Sequence, residues 1–321
     1  MSIYSLRMES DTGRLGEGVL AAIGNTPMVQ LRKIVDLSGA RVLLKLESAN
    51  PTGSMKDRMA VEVIKSAVAD GKLGPNETVV EYTAGTTGVS LAFVCAALGY
   101  RLHVVFSDAF SMEKRRTMLA FGAQITDVPS DQGKITEQLI KKMVATAGEL
   151  SVQPGHWWSD QLNNQDAIRG YINLGHEIWD QSGGHVDAFV HAVGTAHSIH
   201  GATSALREHD QNVQVIAVEP AESAVLSGGQ SGSHRIEGIG IGFIPPLWNP
   251  SLVNEIHPVS SSDAQKMARC LAREEGIFAG TSTGANVVAA LDVASRLPSS
   301  ATVVTLAVDS GLRYLSTDLF A

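Results

Sequence analysis

Val79-Val80-Glu81-Tyr82 runs straight into Thr83-Ala84-Gly85-Thr86-Thr87-Gly88, a stretch of helical pattern over residues 89–98 follows, and His103-Val104-Val105-Phe106 is strand-like again. A β-branched run, a turn of glycine and hydroxyls, a helix and a second β-branched run make one βαβ unit, whose strands pair in parallel. The rhythm continues along the chain. Residues 112–121, 135–147, 199–208, 263–275 and 285–297 read as helices, and residues 124–128, 187–193, 213–218 and 302–308 as strands. Strands alternating with helices predict an α/β fold with mostly parallel sheets and right-handed crossovers. In such sheets ligands collect at the carboxyl ends of the strands, in the loops that enter the next helix. Those loops hold many of the 31 glycines, which make up about a tenth of the chain against a usual share of roughly 7%.

The length of 321 residues suggests two domains at roughly 150 residues each. Pro and Gly interrupt the rhythm at residues 47–51 and 151–155, which are the candidate joints. Residues 227–250 form a long Gly/Pro-rich stretch without helical periodicity, and so long a loop inside a compact domain is usually functional or disordered. Apolar residues make up 44% of the chain, enough for large cores. The formal net charge of −8 gives no general attraction to nucleic acid or to anionic membranes. The longest apolar run, near residues 89–98, is too short to span a bilayer. Cys95 and Cys270 lie far apart with no CxxC pair, as expected of reduced, cytoplasmic surroundings. Residues 1–17 carry charges and no apolar core, so no secretory leader is expected.

Five constellations carry chemistry. Asn50-Pro51-Thr52-Gly53-Ser54-Met55-Lys56-Asp57-Arg58 puts a lysine just after a Gly-Ser turn at the mouth of a helix. Nearby positive dipoles and cations lower a lysine pKa and favour Schiff-base formation, although a solvated lysine in a helix-initiating turn has the same spacing. The turn Thr83 to Gly88 offers backbone N–H groups and hydroxyls to a carboxylate or phosphate, or Thr86 or Thr87 simply caps the helix. His191-Ala192-Val193-Gly194-Thr195-Ala196-His197-Ser198 is a second strand-to-helix turn of the anion-binding type, without the GxxxxGK(S/T) spacing of a nucleotide loop. Its histidines come with no acidic or cysteine ligand, and no metal site is expected. Gly280-Thr281-Ser282-Thr283-Gly284-Ala285 is a third such turn. Gly238-Ile239-Gly240-Ile241-Gly242 has dinucleotide-like glycines, but Pro245 and Pro246 stand where the helix should begin.

In this order the motifs resemble the cysteine synthase and cystathionine β-synthase family of fold-type II pyridoxal-phosphate (PLP) enzymes. The likeness runs from Gly24-Asn25-Thr26-Pro27 to Asp309-Ser310-Gly311-Leu312-Arg313-Tyr314-Leu315. It implies two parallel-sheet βαβ domains of the tryptophan synthase β-like type. Residues 48–153 would form a smaller, mobile domain and residues 1–47 with 154–321 the larger one. The family's NPTGSxKDR-like segment makes Lys56 the lysine that holds the cofactor. Its TSGNT turn, which binds the substrate carboxylate, falls on Thr83, Ala84, Gly85, Thr86 and Thr87, with Thr86 at the cofactor. Its phosphate turn falls on Gly194, Thr195, Ala196, His197 and Ser198. The serine beside the pyridine nitrogen is Ser282, the glutamine near the substrate carboxylate is Gln161, and Gly240 lies on the loop along the cofactor and substrate face.

The resemblance implies a homodimeric PLP enzyme that expels the β-substituent of an activated L-serine derivative. A nucleophile then adds to the resulting aminoacrylate, giving cysteine or a related β-substituted alanine. A β-eliminating lyase or deaminase of the same fold, or a silent paralogue that binds a partner in the cleft, are the alternatives. Several residues depart from the family pattern: Thr86 stands for asparagine, Tyr82 for proline, Ala196-His197 for two glycines and Asn164-Gln165 for Asn-Pro. These departures point to a side branch. The phosphate turn is expected to survive them, because the first residues of a helix have negative φ. Gly194 would then make the turn, Thr195 and Ser198 would add hydroxyl donors, and the His197 ring would touch the phosphate or face solvent or the cleft.

Overall fold

The computed structural model describes residues 18–36 and 38–321, so the expectation of no secretory leader in residues 1–17 lies outside the described residues. The strands are β1 (Met28–Gln30), β2 (Arg41–Lys45), β3 (Thr78–Tyr82), β4 (Arg101–Phe106), β5 (Gln124–Asp127), β6 (His156–Trp158), β7 (Ala188–Ala192), β8 (Gln214–Pro220), β9 (Glu255–Val259) and β10 (Thr302–Leu306). The helices are α1 (Lys56–Ala69), α2 (Thr86–Leu98), α3 (Met112–Ala120), α4 (Glu137–Ser151), α5 (Asp166–Arg169), α6 (Ile172–Gln181), α7 (His197–His209), α8 (Ser261–Cys270) and α9 (Thr281–Ser295).

A six-stranded sheet runs in the order β1-β2-β10-β7-β8-β9 and a four-stranded sheet in the order β5-β4-β3-β6. Every pairing is parallel except that of β1 with β2. The expected α/β fold of two parallel βαβ sheets is therefore what the chain forms. β3, β7 and β10 are buried at every position, as continuous apolar runs covered by helices on both faces must be. α2 is buried through its first ten residues except Thr86, which is why its sequence has no polar stripe. β6 follows the joint at residues 151–155 and still pairs with β3, so the smaller sheet draws on chain beyond residue 153. Tyr82 and Phe106, with the apolar residues of α2, build the core of that sheet.

α1 packs both ways. Ala60, Ile64 and Ala67 face the core of the smaller sheet, while Met59 and Val63 join Tyr171 and Leu174 beside the larger one. The segment before α1 is tied to the end of β10, the N–H of Met55 donating to the carbonyl of Val308 at 3.0 Å and that of Ser310 to Gly53 at 2.9 Å. Both sheets thus direct strand ends at one region. Residues 227–249 cross it without helix or strand, and a 3-10 turn begins at Pro250.

Candidate active site

The loop after β3 is shaped by three residues. Thr83 Oγ1 accepts the N–H of Gly85 at 2.8 Å and that of Gly88 at 3.0 Å. Thr83 thereby does the capping that was one of two sequence readings of Thr86 and Thr87, which are the first two helical residues of α2. Its hydroxyl proton remains for a ligand. Gly85 has φ +114°, and a Cβ there would meet Lys114 Cδ at 2.4 Å, so only glycine fits. Lys114 itself is buried, its ammonium 2.5 Å from Glu237 Oε2 and 4.5 Å from the centre of the Tyr314 ring. Gln161, on the loop after β6, donates from Nε2 to the carbonyl of Tyr82 at 2.7 Å and accepts from Thr87 Oγ1 at 2.8 Å.

Lys56, Thr83, Ala84, Thr86, Thr87, Gln161, Gly194, Thr195 and Gly240 line one cleft of about 650 Å³, its open mouth included. Gly85, Ala196, His197, Ser198 and Ser282 are buried and do not line it. Lys56 opens α1, with its Nζ 5.9 Å from the centre of the Tyr171 ring. Burial pushes its amine down to about 8, which brings the unprotonated nucleophile within reach of neutral pH.

The turn after β7 differs from expectation in two ways. Gly194 does not supply a positive φ. It is glycine because a Cβ would lie 2.5 Å from the carbonyl oxygen of Gly238. The left-handed residue is instead Ala196, with φ +70°, at the N-cap of α7. The His197 ring faces neither solvent nor the cleft: it is fully buried, its Nδ1 2.9 Å from Thr195 Oγ1 and its Nε2 without a hydrogen-bond partner. Burial, then the nearby Lys56 charge, hold it down at about 3. The same causes put His191 at about 3. His191 Nδ1 lies 3.5 Å from the Asn286 amide nitrogen, which is a donor. Nε2–H therefore faces Ser198 Oγ at 2.8 Å, leaving the Ser198 proton for an anion. The first N–H groups of α7 add to this cradle.

Ser282 is the second residue of α9 and buried. Gly240 is held by His234, whose Nε2 lies 2.8 Å from the Gly240 carbonyl while its Nδ1 accepts the N–H of Ile236 at 3.2 Å. Those two bonds fix His234 as the neutral Nε2–H tautomer.

A family model described as pyridoxal-phosphate dependent enzyme matches residues 19–309. The chain belongs to this family. It is 38% identical to a cysteine synthase of Staphylococcus aureus (strain Mu50 / ATCC 700699) over 307 residues, which is 95% of this chain and 97% of the relative. The crystal structure of a cysteine synthase from Entamoeba histolytica matches with a TM-score of 0.89 at 35% identity, covering 99% of this chain and 94% of that one. An O-acetylserine dependent cystathionine β-synthase from Helicobacter pylori matches with a TM-score of 0.89 at 32% identity, covering 96% and 100%. Like these family members, the chain is a PLP-dependent enzyme of β-replacement on an activated serine derivative.

The site suits what the family's cofactor requires, an amine for its aldehyde and a cradle for its phosphate. Lys56 with its lowered pKa meets the first need. The α7 N-terminus, the Thr195 and Ser198 hydroxyls and the close approach of Gly194 to Gly238 meet the second. Among the described residues, helices long and apolar enough to cross a membrane are absent. Sequence reasoning missed the support behind the site, namely Glu81, Lys114, Glu237 and Asn286, and weighed His191 only as a metal ligand, a role it set aside. No short spacing marks these residues. They meet the site through pairings 95 residues apart in the case of Asn286 and His191, and 123 in that of Lys114 and Glu237.

Proposed function

We propose that this chain replaces the acetate of O-acetyl-L-serine with sulfide, as a cytoplasmic homodimer with Lys56 as its cofactor-holding lysine. The supporting observation is that Lys56, the 83–87 loop and the Gly194–Thr195 end of the anion cradle line one cleft. PLP supplies the electron sink when bound. The chain's own residues do the rest. Thr83, Ala84, Gly85, Thr86 and Thr87 with Gln161 hold the substrate carboxylate through the free Thr83 proton and the unpaired N–H groups at the start of α2. Thr86 faces the cofactor side of the same loop. Lys56, which would hold the cofactor, is the base placed to take the α-proton. Gly194, Thr195, Ala196, His197 and Ser198 would form the phosphate cradle, Ser282 would give the ring nitrogen an uncharged neighbour, and Gly240 would border the substrate.

The smaller unit, residues 48–153 together with β6 of the same sheet, closes on the rest of the chain when a carboxylate engages the 83–87 loop, with α1, packed on both cores, as its pivot. Closure excludes water and so favours replacement over elimination. Borohydride reduction and peptide mapping test the assignment: the cofactor should be trapped on Lys56, and Lys56→Ala should abolish both trapping and turnover. Cofactor trapped on Lys65 or Lys72 overturns it. Pyruvate released from O-acetylserine at the same rate with and without sulfide would make the enzyme a lyase.

A further inference from the structure

Glu81, the fourth residue of β3, is a fully buried carboxyl two residues before Thr83. Its Oε2 lies 2.6 Å from Ser159 Oγ and 2.9 Å from the Gln161 backbone nitrogen, and its Oε1 accepts the N–H of Tyr82 at 3.0 Å. Ser159 Oγ also lies 3.2 Å from the carbonyl of Val80. A hydroxyl has one proton. If Glu81 were ionised, Ser159 would donate to it and make no bond to Val80. If Oε2 carries a proton, Glu81 donates to Ser159 and Ser159 donates to Val80, so both contacts are made. The ionisable groups facing Glu81 are Asp160, on the loop after β6, and the Tyr82 phenol on its own strand; the Trp158 indole approaches from β6. Asp160 opposes ionisation, and no cation pairs with Glu81 among the described residues.

We propose that Glu81 is a positioning residue held as the neutral acid, which fixes the Gln161 segment and through it Thr87, so that its ionisation loosens the carboxylate loop and sets a negative charge behind it. This rests on the 83–87 loop being the substrate carboxylate site. The path is continuous: Glu81 holds the Gln161 backbone, and the Gln161 side chain spans the Tyr82 carbonyl and the Thr87 hydroxyl. Burial pushes the Glu81 carboxyl up to about 8, so the acid and its carboxylate exchange around that pH.

The test compares the holoenzyme with its Glu81→Gln variant, which does not titrate; its amide oxygen can keep the Ser159 and Gln161 contacts while its amide nitrogen faces the Tyr82 N–H, a cost that is the same at every pH and cancels in a comparison across pH. L-Methionine, an amino acid with no β-substituent that can leave, is the probe, titrated at pH 7 to 9.5 and followed by the cofactor's absorbance. The parent's affinity, taken as a ratio to that of Glu81→Gln at each pH, should fall about tenfold between pH 7 and pH 9, one unit above the Glu81 pKa. Infrared difference spectra should show a neutral-acid C=O band in the parent at pH 7 that is lost by pH 9.5 and is absent from the variant. A flat affinity ratio, or no such band, overturns the proposal. Thr87→Ala separates the two layers. If it leaves methionine binding unchanged, the carboxylate site itself is misplaced and both fall. If it weakens binding while the ratio stays flat, only the role of Glu81 falls. Should Glu81→Gln fail to fold, the parent's infrared band decides.

Discussion

Ala196 occupies a backbone conformation that ordinarily selects glycine. A left-handed non-glycine residue costs about 1–2 kcal/mol. Two effects oppose that cost. The methyl group is buried beside Ile199 and Val193, which is worth about 0.8 kcal/mol, and alanine loses less chain entropy than glycine on folding, by about 0.4–1 kcal/mol. The sum is close to zero, and this explains how the turn dispenses with glycine. Ala196→Gly should therefore change unfolding stability by less than about 0.5 kcal/mol in denaturant titration, whereas Ala196→Val, β-branched in the same conformation, should lose about 1–3 kcal/mol. Lys56, the 83–87 loop and Gly194 were legible in the sequence because a turn at the mouth of a helix is a local pattern with its own chemistry, whereas Gln161 was legible only through the family resemblance. The φ of Ala196 and the burial of His197 were not. Both are set by contacts the turn makes with other elements.

Between elements, close approach matters more than pattern. α8 and α9 touch at Gly284, where a Cβ would lie 2.0 Å from the carbonyl oxygen of Ala264. In the sequence this glycine looks like part of the 280–285 turn, yet it sits inside α9 and serves helix packing. Gly284→Ala should force the helices apart and destabilise the protein by about 1–3 kcal/mol, read as a lower denaturant midpoint at unchanged slope. Long apolar runs such as β3, β4, β7 and β10 announce themselves. Short or half-exposed strands do not: β1, β6 and β9 are half-buried or exposed at nearly every position, and they exist because a neighbouring strand offers them a ladder. α5 and α6 likewise lie in a stretch whose turn-like Asn163-Asn164-Gln165 opening hides the amphipathic run that follows.

For the molecule as a whole, two buried histidines contribute to the response to acid. His191 and His197 are held at about 3 by burial and by the Lys56 charge, well below the roughly 6.5 of an unfolded chain. A folded-state pKa below the unfolded one means that the unfolded chain binds more protons. Stability from these groups is complete above about pH 6.5 and is lost as the pH falls toward 3. The unfolding free energy of cofactor-stripped protein should drop over that window, and His197→Asn should make the drop shallower. A variant with the parent's slope would show that the ring is already protonated in the fold. Movement belongs to the same scale. Crystals grown with and without a substrate carboxylate should differ by a rotation of the β5-β4-β3-β6 sheet toward the larger one, and superposable pairs would leave closure without support.

The ion pair between Lys114 and Glu237 also limits how the enzyme can be re-engineered. Lys114 lies beneath the loop proposed to grip the substrate, while Glu237 belongs to the irregular 227–249 segment, whose residues 236 and 238–241 line the same cleft. That segment is an obvious piece to exchange with a relative when a new nucleophile is sought. A graft that arrives without an acid at position 237 strands a buried ammonium, a penalty of about 3–5 kcal/mol, and the damage falls on the carboxylate loop, which the graft never touched. Chimaeras of this enzyme should therefore be designed with positions 114 and 237 inherited from the same parent.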